Sequence, residues 1–340
     1  MRIFRLTIYF LSLFILSSCF KEDEKIIPHD PGDVETVAIE LTKDYRYQVY
    51  FDMSSGQVVS INLKKDWDLG FECTENGWHI ILNTSNFMLA ASTGHTDFDL
   101  PVDTTGFKWA FDVSTGDLDT TAIGNWVSFL PPDSSKSYTH EVYVIDRGYD
   151  ELGNLRGLRK VVFKELDDSI YTFRYADLDG SNENTFTITK DPAVNFTGFS
   201  FDEGGKQLSH EPPKYDWDLL FTQYTTLLYT DEGDPYPYLL TGVLSNPSSI
   251  RVAQDTLYDF ATISIENAKN LLYSSALDEI GYDWKDVVGD VSTGNVNYVI
   301  VPGINYVLHD WQGHYFKLRF IGFYSNTGEK GYPTFEFQEL

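Results

Sequence analysis

Lys65-Asp66-Trp67-Asp68-Leu69-Gly70-Phe71 returns 150 positions later as Tyr215-Asp216-Trp217-Asp218-Leu219-Leu220-Phe221. Phe51-Asp52 and Phe201-Asp202 keep the same interval upstream. A stretch that recurs in register at so long a period reads as an internal duplication. Within it Trp67, Leu69 and Phe71 share one face of an extended chain, while Asp66, Asp68 and Gly70 share the other. That two-residue period belongs to a strand.

The same period governs the flanks. Tyr45, Tyr47, Val49 and Phe51 alternate before a turn at Ser54-Ser55-Gly56, and Val59, Ile61 and Leu63 resume after it. Trp78, Ile80 and Leu82 follow the Asn76-Gly77 turn. Further strands are expected at Phe107–Phe111, Tyr138–Asp146, Leu158–Leu166, Ile170–Ala176 and Thr185–Thr189. Echoes continue in the same order on both sides of Asp191–Val194. Ile123-Gly124 with Trp126 answers Ile280-Gly281 with Trp284, and Lys160-Val161-Val162-Phe163 answers Lys317-Leu318-Arg319-Phe320. One stretch, Asp255 to Leu277, carries helical spacing and predicts two short helices, the second capped by Ser264. The pattern gives an all-β, mainly antiparallel protein with a few short helices, divided into segments 34–190 and 195–340.

Composition narrows the function. A net charge of −26 repels phosphate backbones, which argues against a nucleic-acid partner. Arg2 and Arg5 precede an apolar run, Ile8 to Leu16, that is too short for a membrane-spanning helix. Leu16-Ser17-Ser18-Cys19 then resembles a bacterial lipobox, with 1–18 as signal peptide and Cys19 as the lipidated first residue. Residues 19–33 read as an acidic tether. Its start, Phe20-Lys21-Glu22-Asp23-Glu24, resembles the export signal of surface lipoproteins in the Bacteroidota. With Cys19 taken by lipid, Cys73 has no partner for a disulfide and reads as a small buried apolar residue.

The Trp-Asp-Leu-x-Phe element, Ile280 to Lys285, Tyr315 to Phe320 and Gly328 to Phe335 together resemble the HmuY family of Bacteroidota lipoproteins. The likeness is close over 195–340 and looser over about 34–190. It implies two tandem HmuY-like β domains, with Trp67, Asp68, Trp217, Asp218, Trp284, Lys317 and Phe320 as family-motif core. It further implies a haem cofactor, anchorage in the outer membrane facing the cell surface, and a TonB-dependent receptor as partner. Histidine-ligating members carry a ligand just after the strand matching 126–130. This chain has Trp126-Val127-Ser128-Phe129-Leu130-Pro131 there.

No nucleophile elbow, zinc-binding His-Glu-x-x-His or phosphate-cradling glycine loop is present, so no catalytic residue is assigned. Asp66/Asp68 and Asp216/Asp218 flank a Trp on a strand and are expected to meet backbone N–H groups or basic side chains rather than substrate. Asp177 to Glu183 has the spacing of a calcium loop but lacks its terminal bidentate Glu, which favours a polar hairpin turn. Haem iron needs an axial ligand. His309 and His314 bracket the turn Asp310-Trp311-Gln312-Gly313 and are the candidate pair, with Met88 a further candidate. Two other readings stand beside a haem binder. One is a glycan- or peptide-binding module using exposed aromatics, and the other is a structural surface lipoprotein.

Replacing Cys19→Ala is expected to move the protein from the membrane fraction to the soluble one, and protease added to intact wild-type cells is expected to remove it. Continued membrane retention of the variant would refute the lipobox reading.

Overall fold

The computed structural model of the chain describes residues 32–131, 135–290 and 295–340. The signal peptide, Cys19 and most of the expected tether lie outside the described residues. What is described is all-β and antiparallel, built around two apolar cores.

The first lobe is continuous in sequence. A five-stranded sheet runs in the order Asn184–Thr189, Ile170–Ala176, Leu158–Asp167, Val142–Asp146, Leu89–Ser92. A four-stranded sheet runs Lys206–Leu208, Phe196–Ser200, Leu69–Glu72, Ile80–Leu82. Their inner faces share a core in which Phe173 stacks on Phe71 and meets Phe199 edge-on at 4.9 Å. Alternating aromatic residues are what such a pleated, one-sided surface buries well.

The second lobe repeats this plan with a break in the chain. Its five-stranded sheet runs Glu35–Ala38, Lys330–Glu339, Tyr315–Tyr324, Asn305–Asp310, Ile250–Asp255. Its four-stranded sheet runs Pro235–Ser245, Leu219–Tyr229, Tyr47–Asp52, Gln57–Leu63. Strands from the start of the chain therefore complete a lobe made mostly from its end. Glu35 pairs with Phe337, and Phe51 is wholly buried among Phe221, Phe335 and Phe337. The units of packing are 69–208, and 219–340 with 35–63. The boundary expected at Asp191–Val194 falls inside the first of these, because Phe196–Ser200 pairs with Leu69–Glu72. A sequence repeat shows its period but not the point at which one packed unit ends.

The upstream echo also shifts. Leu69 pairs with Phe199, and Leu219 pairs with Phe51, so Phe199 and not Phe201 is the structural counterpart of Phe51. Other echoes hold in three dimensions. Lys160 and Lys317 are both buried. Each ammonium donates to loop carbonyls, Phe98 and Leu100 in one lobe and Ile263 in the other. Each also lies over a phenyl ring, Phe98 or Phe260.

Local expectations fare unevenly. Ile170–Ala176 is a strand as expected. Tyr138–Asp146 is split into Ser135–Tyr138 and Val142–Asp146, with His140 between them at a φ of 50°. Phe107–Phe111 is not a strand, and only Ala110 bridges Ala90 on the sheet edge. Asp255–Leu277 holds a 3-10 turn, Phe260–Thr262, and a single helical turn, Ile265–Ala268, which Ser264 caps as expected. The two short helices expected here are reduced to these single turns, and Leu257 and Leu272, counted on their apolar faces, point to solvent at 83% and 95% exposure. Val252 also bridges Ser274, which draws the later part out as an extended edge. Asp177 spends its carboxylate on Arg159, Ser181 and Asn182, as a polar hairpin turn would. Cys73 is buried, with Sγ 3.0 Å from the Thr197 hydroxyl.

Phe51→Ala is expected to cost about 3–5 kcal/mol, the loss of a buried phenyl plus the cavity left behind. Hydrogen exchange should then rise in 219–229 and 315–339 while 158–176 keeps its protection. Equal loss in both regions would contradict the assignment of Phe51 to the second lobe.

Candidate binding site

Each Trp-Asp element lies where the chain passes from one lobe to the other, and both are fixed by the same contacts. Asn83 Nδ2 donates to the carbonyls of Lys64 and Trp67 at 2.6 and 2.9 Å. Asn246 Nδ2 donates to those of Lys214 and Trp217 at 2.8 and 2.7 Å. Asp68 N–H meets the Phe199 carbonyl and Asp218 N–H the Phe51 carbonyl. On the carboxylates, Phe201 N–H and Met53 N–H each donate at 2.9 Å. Asn83-x-Ser85 and Asn246-x-Ser248 are visible in the sequence, and that shared pattern was the signal for these two amides.

The carboxylates differ in company. Asp68 is fully buried and receives Arg147 through two bonds of 3.0 Å, with Arg156 at 2.9 Å. Asp218 receives the Ser249 hydroxyl at 2.7 Å and, among the described residues, no guanidinium. Burial pushes its carboxyl up to about 6, Asp52 and Asp310 adding to the rise while the Met53 and Ser249 bonds oppose it. Both aspartates hold the turn through backbone donors.

Three spaces border these turns. The first is a mostly apolar cavity of about 180 Å³ between the two tryptophans, bordered also by Tyr50, His210, Glu211 and Ser245. His210 stacks on Trp67 at 4.2 Å. Burial pushes the His210 imidazole down to about 3, so it is neutral at physiological pH. Trp67 donates to Gln48 at 2.8 Å, whereas Trp217 Nε1 has no partner among the described residues. The second space is an open groove of about 1230 Å³ on the first lobe. Trp78, Phe129 and Pro192 give it flat apolar walls, and Lys136, Lys190 and Lys214 bring ammonium groups to it. Lys190 donates to the carbonyls of Thr74 and Gly77, and burial lowers its pKa.

The structure separates the residues proposed for iron. His309 stacks on its cross-strand partner Tyr315 at 4.3 Å. His314 donates or accepts through Nδ1 at 2.9 Å from Asp310, on the opposite face of the hairpin. The two imidazoles therefore cannot meet at one ion. Met88 is fully buried in the first core. Among the described residues no group of three His, Cys, Asp or Glu side chains is placed to hold a metal. Trp284 is buried and stacks on Phe320 at 3.9 Å, so with Lys317 it belongs to the packing of the second lobe. Arg147, Arg156, His210 and Lys190 were not legible as partners, since each acts on residues far away in sequence.

A family model described as HmuY protein matches residues 44–337 in one span. No curated protein matches the chain in sequence. Among solved structures, apo PinO from Porphyromonas gingivitis is similar at 10% identity and a TM-score of 0.27, covering 91% of this chain and 97% of its own. The apo HmuY analog of Tannerella forsythia has 12% identity, a TM-score of 0.24 and coverage of 92% and 98%. An HmuY-like protein of Bacteroides vulgatus has 16% identity and a TM-score of 0.18, covering 53% of this chain and 90% of its own. Likenesses this low carry no argument about ligand, and the family assignment rests on the family model.

Glu211 borders the cavity, and burial pushes its carboxyl up to about 7, against bonds from Phe196 N–H and Asn195. A folded pKa above the unfolded one stabilises fully at low pH, and that stability is lost as pH rises through the folded value. Glu211→Gln should therefore gain on the wild type between about pH 4.5 and 7, by on the order of 3 kcal/mol. Urea denaturation at stepped pH would read this. A difference that stays constant across the window would show that the carboxyl titrates normally.

Proposed function

The chain belongs to the HmuY family, and from that membership we propose a non-enzymatic binding protein that takes a haem-type tetrapyrrole in the first-lobe groove. The observation that carries the reading is the groove itself. In a chain of net charge −26 it gathers three lysines against two acids, Glu75 and Asp168, beside Trp78 and Phe129. A flat macrocycle stacks on aromatic walls, and its carboxylates pair with ammonium groups.

The lining suits the macrocycle better than it suits iron. No His, Met or Tyr lines the groove among the described residues. Cys73 does line it, but burial raises its thiol, and the iron ligand would have to be the thiolate. The described lining of the groove therefore does not fit an axial iron ligand. The further parts of the reading are anchorage through lipid on Cys19, exposure on the outer membrane, and delivery to a TonB-dependent receptor. No helix among the described residues is long and apolar enough to cross a membrane. The paired contacts of the two lobes support descent from a duplicated unit.

Titration with haem and with iron-free protoporphyrin IX tests the proposal. Both are expected to bind saturably with affinities within about threefold, and Lys136→Ala with Lys214→Ala should weaken both by about tenfold. Absence of binding by either compound would overturn the reading. Binding of haem alone, with a sharp Soret shift, would overturn its iron-independent form.

A further inference from the structure

The two lobes treat the same carboxylate in opposite ways. Lys160 pairs with Val144 and Lys317 with Val307, while Ala91 pairs with Val144 and Ala253 with Val307. Counting along from either match places Arg147 of the first lobe at the position of Asp310 in the second. A buried cation facing Asp68 is thus replaced by a buried anion facing Asp218. Asp68 accepts bonds from Phe201 N–H, twice from Arg147 and, at 3.5 Å, from the Ser200 hydroxyl, and Arg156 lies 2.9 Å away as an ion pair. Among the described residues Asp218 accepts only from Met53 N–H and Ser249. An ionised carboxylate has about four acceptor sites, so half of its capacity is unfilled.

Beside Asp218 lies a pocket of about 460 Å³ bordered by Asp52, Asp216 and Asp310, with Tyr215 and Trp311 at its mouth. The two rings lie 4.8 Å apart at 41° and are 49% and 53% exposed. Large aromatics left half in solvent beside carboxylates form a wall for a cation. These carboxylates are not gathered as metal ligands. Asp310 is already engaged by the N–H groups of Gln312 and His314 and by the His314 ring.

We propose that this pocket binds a guanidinium group brought from outside the chain, in the place that Arg147 fills in the first lobe. A guanidinium is favoured over an ammonium because it is planar, stacks on aromatic faces and forks onto carboxylates. Burial is the main cause of the raised Asp218 carboxyl, and a bound cation would offset the Asp52 and Asp310 charges that add to it. The site shares no lining residue with the tetrapyrrole groove, though the groove's Lys214 lies over one side of the Tyr215 ring, and it does not depend on that reading.

Agmatine, the tripeptide amide Gly-Arg-Gly and cadaverine would be titrated into the purified chain at 0.15 M salt, with heat and tryptophan emission as readouts. Saturable agmatine binding is expected, at least tenfold tighter than cadaverine. Asp310→Arg, which rebuilds the first-lobe pair, and Trp311→Ala, an exposed change that leaves the fold intact, should each weaken it at least tenfold. Tighter binding of the tripeptide assigns the guanidinium to a protein partner, and tighter binding of agmatine assigns it to a small molecule. No saturable binding would overturn the proposal. So would binding that survives Trp311→Ala unchanged, which would be general attraction to an acidic chain.

Discussion

Glu35–Ala38 against Lys330–Glu339 is the pairing on which the rest depends. It brings the beginning of the chain to its end, and with it Tyr47–Asp52 enters the second lobe and buries Phe51. Once that strand is placed, its Phe51 carbonyl receives Asp218 N–H, as the Phe199 carbonyl receives Asp68 N–H. The two Trp-Asp turns are thereby set side by side, and the cavity between Trp67 and Trp217 follows from their approach.

Much of this was legible. The alternation of Trp67, Leu69 and Phe71 gave the strands, and the echoes of Lys160 with Lys317 and Trp126 with Trp284 mark real counterparts in packing. What failed did so for identifiable reasons. A repeat has a period but no phase, so the cut at 191–194 was as consistent with the sequence as the true ones near 64–68 and 209–218. Phe201-Asp202 matched Phe51-Asp52 in letters while Phe199 matched Phe51 in pairing. His309 and His314 are close along the chain, yet a strand sends them to opposite faces. The arginines on Asp68 come from a hairpin some eighty residues away, and no local spacing announces them.

The two lobes share a frame and diverge in chemistry. Buried Lys160 and Lys317 keep the same task, tying a loop to the sheet through carbonyls and a phenyl face. Around the Trp-Asp carboxylates the frame is free to change sign, because each turn is already held by Asn83 or Asn246 and by backbone donors. Arg147 closes one lobe internally, and the other leaves an acidic, aromatic-rimmed opening. The groove with its lysines belongs to the first lobe. Opposite charge preferences thus sit on one molecule and meet at Lys214, whose ammonium lies over the Tyr215 ring.

The split second lobe also dictates an order of events during synthesis. Residues 69–208 form a self-sufficient set, so the first lobe has all its strands as soon as Leu208 has emerged. Tyr47–Asp52 and Gln57–Leu63 emerge earlier still and pair with each other, but Leu219–Tyr229, the other neighbour of Tyr47–Asp52, is made much later, and Glu35–Ala38 waits for the last strand of all. Long-range pairings of this kind form slowly, and unpaired strand edges are open to wrong partners while they wait. The late strands find their register on one another, and Glu35–Ala38, early in the described chain, is among the last strands to come to rest.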